Sequence, residues 1–156
     1  MGSESLRRVT GLAAIVLFGL VLVSCVAPGP SAAPSGDNLR VEEPFARPAA
    51  AGQNGAAYFT IVNPTQEADQ LVAVAGDIAM HVELHESVND GGVMRMIPHP
   101  EGFPVAPGTT LQFQPGGKHV MLMNLNRALT PGESFDLVLT FANAGEIKLT
   151  VPVQDR

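Results

Sequence analysis

From about residue 39 onward, apolar and polar side chains alternate in short segments separated by proline and glycine. Such alternation is typical of strands that bury one face, and proline and glycine mark the turns between them. Examples of these turns are Asp-Gly-Gly at 90–92 and Pro-Gly at 131–132, and evidence for helices is weak. The pattern therefore predicts an all-β fold, an antiparallel sandwich or barrel. The expected strands are 39–45, 56–63, 69–75, 80–86, 93–97, 109–113, 119–124, 134–141 and 146–153.

The N-terminal 24 residues have the pattern of a bacterial secretion signal. Arg7 and Arg8 precede an apolar run over 9–23, which is short for a membrane span and typical of a signal-peptide core. The run ends in Leu-Val-Ser before Cys25, which resembles the lipobox of bacterial lipoproteins. This resemblance implies cleavage after residue 24 and acylation of Cys25. The alternative is that Cys25 is a free or buried thiol.

The remaining chain divides into a tether and one domain. Residues 25–38 are rich in Pro, Ser, Ala and Gly, a composition that predicts a flexible spacer. Residues 39–156 then form a single domain, which we expect to be a monomer. The lipid would hold this domain outside the cytoplasm, in the periplasm or at the outer cell surface. We expect no nucleic-acid partner, because the formal net charge is −6 and phosphate binding needs a basic patch.

Histidine and methionine are concentrated in one part of the chain. All four His and five of the six Met lie between positions 80 and 123, and the sixth Met is the initiator. Taken singly, each Met is more often a filler of the core, and each His is more often structural or exposed. Methionines that only filled the core would be scattered over all the strands, so the joint pattern indicates a binding site. The nine residues are Met80, His81, His85, Met94, Met96, His99, His119, Met121 and Met123.

Strand parity places most of these side chains together on single faces. The sets that share a face are His81 with His85, Met94 with Met96, and His119 with Met121 and Met123. A mixture of neutral thioethers and imidazoles selects Cu(I) and binds calcium or magnesium negligibly. A blue-copper centre needs a Cys ligand, and the single Cys is assigned to the lipid. A zinc site with His81 and His85 on a helix is a further alternative.

Three segments of the chain resemble the PCu(A)C family of periplasmic copper chaperones. They are Val82–Glu86, Gly92–Met96 and Pro115–Met123. In the family's motif, ten residues separate a His from a Met. A longer spacer then leads to a His-x-Met sequence. In this chain His85, Met96, His119 and Met121 fit the motif, and the longer spacer exceeds the usual length by one residue. We expect that extra residue to lie in a loop over 98–108, where an insertion is tolerated.

The resemblance implies a cupredoxin-like β-barrel that holds Cu(I) through His85, Met96, His119 and Met121. It also implies a function: delivery of Cu(I) by ligand exchange to the binuclear copper site of cytochrome c oxidase subunit II or to another acceptor protein. Such a carrier is not an enzyme. Copper scavenging, storage or an accessory role in import would use the same ligands. A redox or hydrolytic metalloprotein and a metal-free structural lipoprotein are the remaining alternatives.

The other members of the cluster lie outside the motif. Met94 and Met123 share faces with the expected ligands, so we interpret them as shielding or core residues. Met80 and His81 precede the first ligand, and His81 is a candidate for a supporting contact or an auxiliary copper site.

Three polar residues near the motif have open roles. His99 lies between two prolines and is interpreted as an exposed spacer. Glu83 and Glu86 flank His85. Either carboxylate could orient a ligand imidazole through its second ring nitrogen, although a solvated position is the ordinary expectation for both.

Overall fold

The computed structural model describes residues 38–155 of the chain. This part forms ten β-strands joined by turns and contains no helix. None of these residues forms a helix that could span a membrane. The expected signal peptide, almost all of the tether, and Cys25 lie outside the described residues. The strands are β1 (Arg40–Ala46), β2 (Gly55–Asn63), β3 (Asp69–Ala75), β4 (Ala79–Asp90), β5 (Val93–Pro98), β6 (Phe103–Val105), β7 (Thr109–Phe113), β8 (Lys118–Leu125), β9 (Ser134–Phe141) and β10 (Gly145–Pro152).

The strands form two sheets. In the first sheet the order is β1-β2-β8-β4-β5, with β7 also paired to β2, and in the second it is β10-β9-β3-β6. Every pairing between these strands is antiparallel, and a single parallel bridge joins Ala46 to Val153. The predicted antiparallel, cupredoxin-like sandwich is therefore confirmed.

The core lies between the two sheets and follows from the alternation of side chains. In β9, Leu137 and Leu139 are fully buried, while their neighbours along the strand are half-buried. Aromatic rings extend this core, because Phe59 stacks on Phe113 at a centroid distance of 4.5 Å and Phe103 meets Phe113 edge-on at 5.4 Å. Each fully buried side chain of this size contributes about 1.5–3 kcal/mol.

All nine predicted strands are present, and the structure adds a tenth. Strand β6 lies inside the segment 98–108, which the sequence predicted to be a loop, and its residues Phe103 and Val105 are buried in the core. Gly102 makes this pairing possible, because a side chain there would overlap the carbonyl of Leu71. The prediction of a loop was therefore wrong for residues 103–105. The sequence could not show this strand, because three residues with a proline at the centre are too few to reveal alternation.

Strand β4 is also longer than predicted and forms a hairpin with β5. The turn at Gly91 and Gly92 has positive φ at both glycines, 64° and 92°, which suits a two-residue hairpin loop. Beyond Ser87, β4 pairs with β5 alone, because its pairing with β8 ends at Glu86. We call residues 87–96 the arm. All six residues of β5 are exposed.

Strands β7 and β8 behave as one strand with an interruption. Both pair antiparallel with β2, first Phe113 with Phe59 and then Val120 with Ala57. The intervening chain leaves the sheet in a turn closed by the amide of Gly117, which donates to the carbonyl of Gln114 at 3.0 Å. This turn places the carbonyl of Gly117 beside the first residues of β8.

Candidate metal centre

The outer face of the first sheet carries successive cross-strand pairs that contain most of the predicted site. Strands β4 and β8 pair without a register shift over this stretch. Between the members of these pairs, Leu84, Val120 and Leu122 point the other way and are buried in the core. The outward pairs are His81 with Met123, Glu83 with Met121, and His85 with His119.

Met96 approaches the same site from the neighbouring strand. It lies opposite Ser87, two pairs beyond the pair of His85 with Pro98, so it is a diagonal neighbour of His85 on the same face. Its side chain is 60% exposed. Met96, His119 and Met121 line one surface cavity. The structure thus brings the four predicted site residues together, two of them from β8 and one each from β4 and β5.

His119 is held in one tautomer by the backbone. Its Nδ1 lies 2.9 Å from the carbonyl oxygen of Gly117, and a carbonyl can only accept a hydrogen bond. The neutral ring therefore carries its proton on Nδ1 and has its lone pair on Nε2. The same oxygen accepts the amide of Ser87 at 3.0 Å, which ties β4 to the turn before β8. His119 is 4% exposed.

His85 is oriented by a carboxylate. Its Nε2 lies 3.1 Å from Oε2 of Glu83, so Nε2 donates to the ionised carboxylate. Nδ1 of His85 is buried and has no hydrogen-bond partner among the described residues. Leaving a buried polar atom without a partner costs about 1–3 kcal/mol. A metal ion bound at Nδ1 would satisfy this atom.

The two imidazoles are close enough to share one ion. Their ring centroids are 6.0 Å apart, with an angle of 49° between the ring planes. A metal–nitrogen bond is about 2 Å long, so a single ion fits between two rings at this separation. The residues present therefore fit a soft metal ion that takes two imidazole nitrogens and nearby thioethers.

Tyr58, the single tyrosine of the chain, walls the site on the side of β2. Its ring lies 6.4 Å from that of His119 and 5.0 Å from that of Phe45, measured between centroids. Burial raises the pKa of the Tyr58 hydroxyl, and the positive charge of Arg47 opposes this shift. Tyr58 is therefore a neutral phenol at neutral pH and offers no anionic oxygen to a metal.

The structure separates the roles of Glu83 and Glu86. Glu83 contacts the imidazole of His85, as one of the alternatives for this pair expects. Glu86 instead receives a hydrogen bond from Nζ of Lys118 at 2.7 Å and lies 3.4 Å from Nε2 of His99.

His99 has a structural position instead of that of an exposed spacer. Its ring packs against Phe103 with a centroid distance of 4.5 Å, and its side chain is 23% exposed. Its amide donates to the carbonyl of Leu84 at 2.8 Å, and Glu86 and Glu101 flank the ring. These contacts fasten the segment after β5 to the core.

The remaining methionines occupy different surroundings. Met94 is 56% exposed on the arm, so it is not a core residue. Met123 is half-buried on the face of the site. Met80 is 62% exposed on the other face of β4, where the side-chain amide of Asn124 donates to its sulfur.

The alternative of a helical zinc site is wrong, because His81 and His85 lie on strand β4. Four residues along a strand span about 13 Å, too far for one ion to bind both rings. Within residues 38–155, no group of three or more His, Cys, Asp or Glu side chains is arranged to hold a metal.

Sequence reasoning assigned no role to three residues of the site. Gly117 and Ser87 contribute through backbone atoms, whose positions depend on the pairing of distant strands. Tyr58 lies in an apolar strand, and its proximity to His119 depends on the pairing of β2 with β8. Only its status as the single tyrosine could have drawn attention to it.

Comparison with solved structures defines the class of protein. The apo PCuAC domain of PmoF1 is similar with a TM-score of 0.63 and 25% identity, covering 76% of this chain and 95% of that one. The Cu(I) form of DR1885 from Deinococcus radiodurans has a TM-score of 0.56 and 28% identity, covering 76% and 81%. The copper-bound PCuAC domain of PmoF2 has a TM-score of 0.62 at 22% identity, covering 76% and 94%. The predicted resemblance to PCu(A)C domains is confirmed.

Sequence comparison identifies the family. Residues 39–153 match the family model described as "Putative lipoprotein LpqE-like", and the chain belongs to this LpqE-like family. The putative lipoprotein Lxx21020 of Leifsonia xyli subsp. xyli is 31% identical over 152 residues, covering 96% of this chain and 90% of the relative. Protein RP573 of Rickettsia prowazekii is 32% identical over 103 residues, covering 64% and 57%.

Proposed function

We propose that this protein binds Cu(I) outside the cytoplasm and passes it to a copper-accepting protein. The observation that carries this proposal is the pair of facing imidazoles. In His119 the hydrogen bond from Nδ1 leaves Nε2 free, and in His85 the buried Nδ1 has no partner while Nε2 is engaged by Glu83. Each ring therefore keeps one nitrogen available, as metal-binding histidines with a supporting hydrogen bond do.

The proposed ligand set is His85, Met96, His119 and Met121, with Glu83 as the residue that orients His85. Two thioethers and two neutral imidazoles are soft or borderline donors without charge, which favours Cu(I) over harder ions. Two of the similar solved structures are a copper-bound PCuAC domain, that of PmoF2, and the Cu(I) form of DR1885. They support copper as the cargo of this site.

We further propose that release occurs by exchange of ligands. Met96 is exposed on the arm, so an acceptor can replace its thioether first while the imidazoles still hold the ion. An uncharged donor set binds Cu(I) less strongly than one with thiolates, so transfer to a thiolate-containing site is downhill. The proposed acceptor is the binuclear copper site of cytochrome c oxidase subunit II. The protein acts as a carrier and not as a catalyst.

The proposed location follows from the N-terminal segment. Residues 1–24 would be removed as a signal peptide, and Cys25 would carry the lipid that anchors the domain 39–156 through its tether. The family and the Leifsonia relative are both described as putative lipoproteins, which supports this anchoring. Mass spectrometry of the protein from a bacterial membrane fraction tests it, since an unmodified residue 25 would contradict the proposal.

An anaerobic titration with Cu(I) against a competing chelator tests the binding site. We expect His119→Ala and Met121→Ala to lose tight binding of the first equivalent, because each removes one donor. Met80→Leu is the matched control, since Met80 is an exposed thioether on the opposite face of β4. Circular dichroism checks that His119→Ala still folds. Binding by both variants equal to that of the native chain would contradict the ligand assignment.

Mixing the Cu(I)-loaded chain with the apo copper domain of an oxidase subunit II tests the acceptor. We expect the metal to move to the oxidase domain at equimolar protein. Retention of copper by this chain would exclude delivery to subunit II and favour storage, scavenging or an accessory role in import.

A further inference from the structure

The face that carries the candidate metal centre continues beyond it. Two residues before Glu83 on β4, His81 lies directly opposite Met123 of β8. This pair repeats, at the other end of the ladder, the combination of donors found in the centre itself. The motif of the family does not include either residue.

The geometry of this pair is that of a two-donor site. Side chains directly opposite in an antiparallel pair have Cβ atoms about 4.5–5.5 Å apart. His81 is exposed and Met123 is half-buried, so both are accessible to an ion from solvent. Within residues 38–155, the ring of His81 has no hydrogen-bond or ion-pair partner. Its nitrogens are therefore not occupied by protein groups of this region.

The two pairs are separate but share a neighbour. His81 and His85 are four residues apart on one strand, about 13 Å, so one ion cannot bind both. Met121 lies between them, opposite Glu83, and is a diagonal neighbour of each pair. Diagonal neighbours lie about 7–8 Å apart, within reach of a long flexible side chain such as methionine. The carboxylate of Glu83 adds negative charge between the two positions and attracts a cation to either.

We propose that His81 and Met123 form a second binding position for a soft monovalent cation, on the same face as the first position and with Met121 between the two. The proposal rests on the proposed function only for the identity of the ion, Cu(I). With two donors of its own, this position binds after the four-ligand centre is filled. The protein would then carry about two equivalents of Cu(I), in two positions on either side of Met121.

Silver(I) is the probe that tests the second position, because it shares the preference of Cu(I) for thioethers and does not change oxidation state in air. The full chain, labelled with ¹³C in its methionine methyl groups, is titrated and followed by NMR. The first equivalent is expected to shift Met96 and Met121. The second is expected to shift Met123, to shift Met121 again, and to leave Met80 unchanged.

Two variants and a control link the second equivalent to its proposed donors. His81→Gln and Met123→Leu alter residues that are not fully buried, and we expect each to abolish the second step while preserving the first. Met80→Leu is the control, because Met80 adjoins His81 in sequence but lies on the opposite face, and it should bind as the native chain does.

The outcomes separate this proposal from the one before it. An unmoved Met123 methyl at two equivalents, or a second step that persists in His81→Gln, would overturn the second position. If Met123 responds in a manner that depends on His81 while Met96 never moves, the second position stands and the four-ligand centre fails. The titration therefore gives each proposal its own signal.

Discussion

The candidate metal centre has two parts that the protein holds very differently. On β4 and β8 the two histidines lie in the middle of a sheet, above buried residues such as Leu122, and each is fastened by a hydrogen bond. On the arm, Met96 belongs to a strand whose six residues are all exposed and which pairs only with β4. One part is supported by the core of the domain, and the other is supported by one hairpin.

This difference assigns separate tasks to the two parts. Imidazoles whose tautomers are set before binding lose little entropy when they take up an ion, so they favour retention. An exposed thioether can be replaced by a donor of another protein without disturbing the sheet. The proposed carrier function needs both properties, and the proposed ligands that would supply them lie on adjacent strands.

The largest expected effect is on the free energy of unfolding, which should depend strongly on the sheet beneath the histidines and little on the arm. Leu122→Ala removes a side chain with 0% exposure from the core beneath β8. We expect it to lower the free energy of unfolding by about 2–5 kcal/mol. Met94→Ala on the arm should change it by less than about 0.5 kcal/mol. Urea denaturation of the metal-free protein measures both. Similar losses in the two variants would show that the arm is as strongly supported as the sheet.

The next effect concerns the carboxylate that supports His85. Glu83→Gln replaces the ionised acceptor by a weaker one, and loss of such a contact lowers metal affinity by about 10- to 100-fold. Glu86→Gln is the control, because Glu86 contacts Lys118 and His99 instead of a site imidazole. Competition with a Cu(I) chelator measures both affinities. A loss in Glu86→Gln as large as that in Glu83→Gln would argue against a specific role for Glu83.

A smaller effect is expected for the donor on the arm. Met96→Leu removes one exposed thioether of the four proposed donors, and we expect affinity for Cu(I) to fall by about tenfold, or about 1.4 kcal/mol. Met94→Leu changes a thioether on the same face of the same strand and should leave affinity unaltered. Release to a chelator in stopped flow should be faster for Met96→Leu. Equal release rates for native protein and both variants would exclude Met96 as a ligand.

The smallest expected effect is a change in stability caused by a substitution in the second sheet, far from the candidate metal centre. It serves as a control that should not affect metal binding. Hydrogen bonds from Lys148 and Thr150 hold the pKa of the exposed Asp136 carboxyl below its usual value. A lowered pKa in the folded state stabilises the protein above the usual carboxyl range, and this contribution is lost as pH falls through the folded value. Asp136→Asn should therefore lower stability slightly at pH 7.

The matching measurement is thermal unfolding of the same variant in acid. In acid strong enough to protonate the carboxyl in both the folded and the unfolded state, Asp136→Asn and the native chain should unfold at the same temperature. Metal binding at pH 7 should be unchanged in this variant. A difference in stability that persists undiminished in acid would show that the ion pair between Asp136 and Lys148 is not its source.

Much of the fold could be predicted because alternation along a strand is a local property. Segments such as 134–141 show it clearly, and they form strands of the second sheet. Strand β6 shows no such pattern, since its burial comes from pairing with β3 and from the close approach that Gly102 permits. The exposure of the arm could not be predicted either. The sequence pattern of β5 predicts a strand, but it does not show that all six residues of this strand are exposed to solvent.

The same division applies to the site. The candidate donors were recognisable from their types, and their shared faces followed from a period of two residues. The contact of Glu83 with His85 was one alternative among several, because Glu83 and Glu86 have similar surroundings in sequence. Period two places Glu83, and not Glu86, on the face of His85, but only the structure shows that Glu83 contacts the His85 ring while Glu86 bonds Lys118 from β8.

By itself, the sequence determined that this chain forms a β-sandwich with soft donors on one face of three strands, because strand parity and donor chemistry are local. Only the tertiary structure decided that His85 faces His119, that the carbonyl of Gly117 sets a tautomer, and that Met96 stays exposed. These features depend on the register of strands that are distant in sequence. That register is set by packing of the whole core, so no single segment of the chain encodes it.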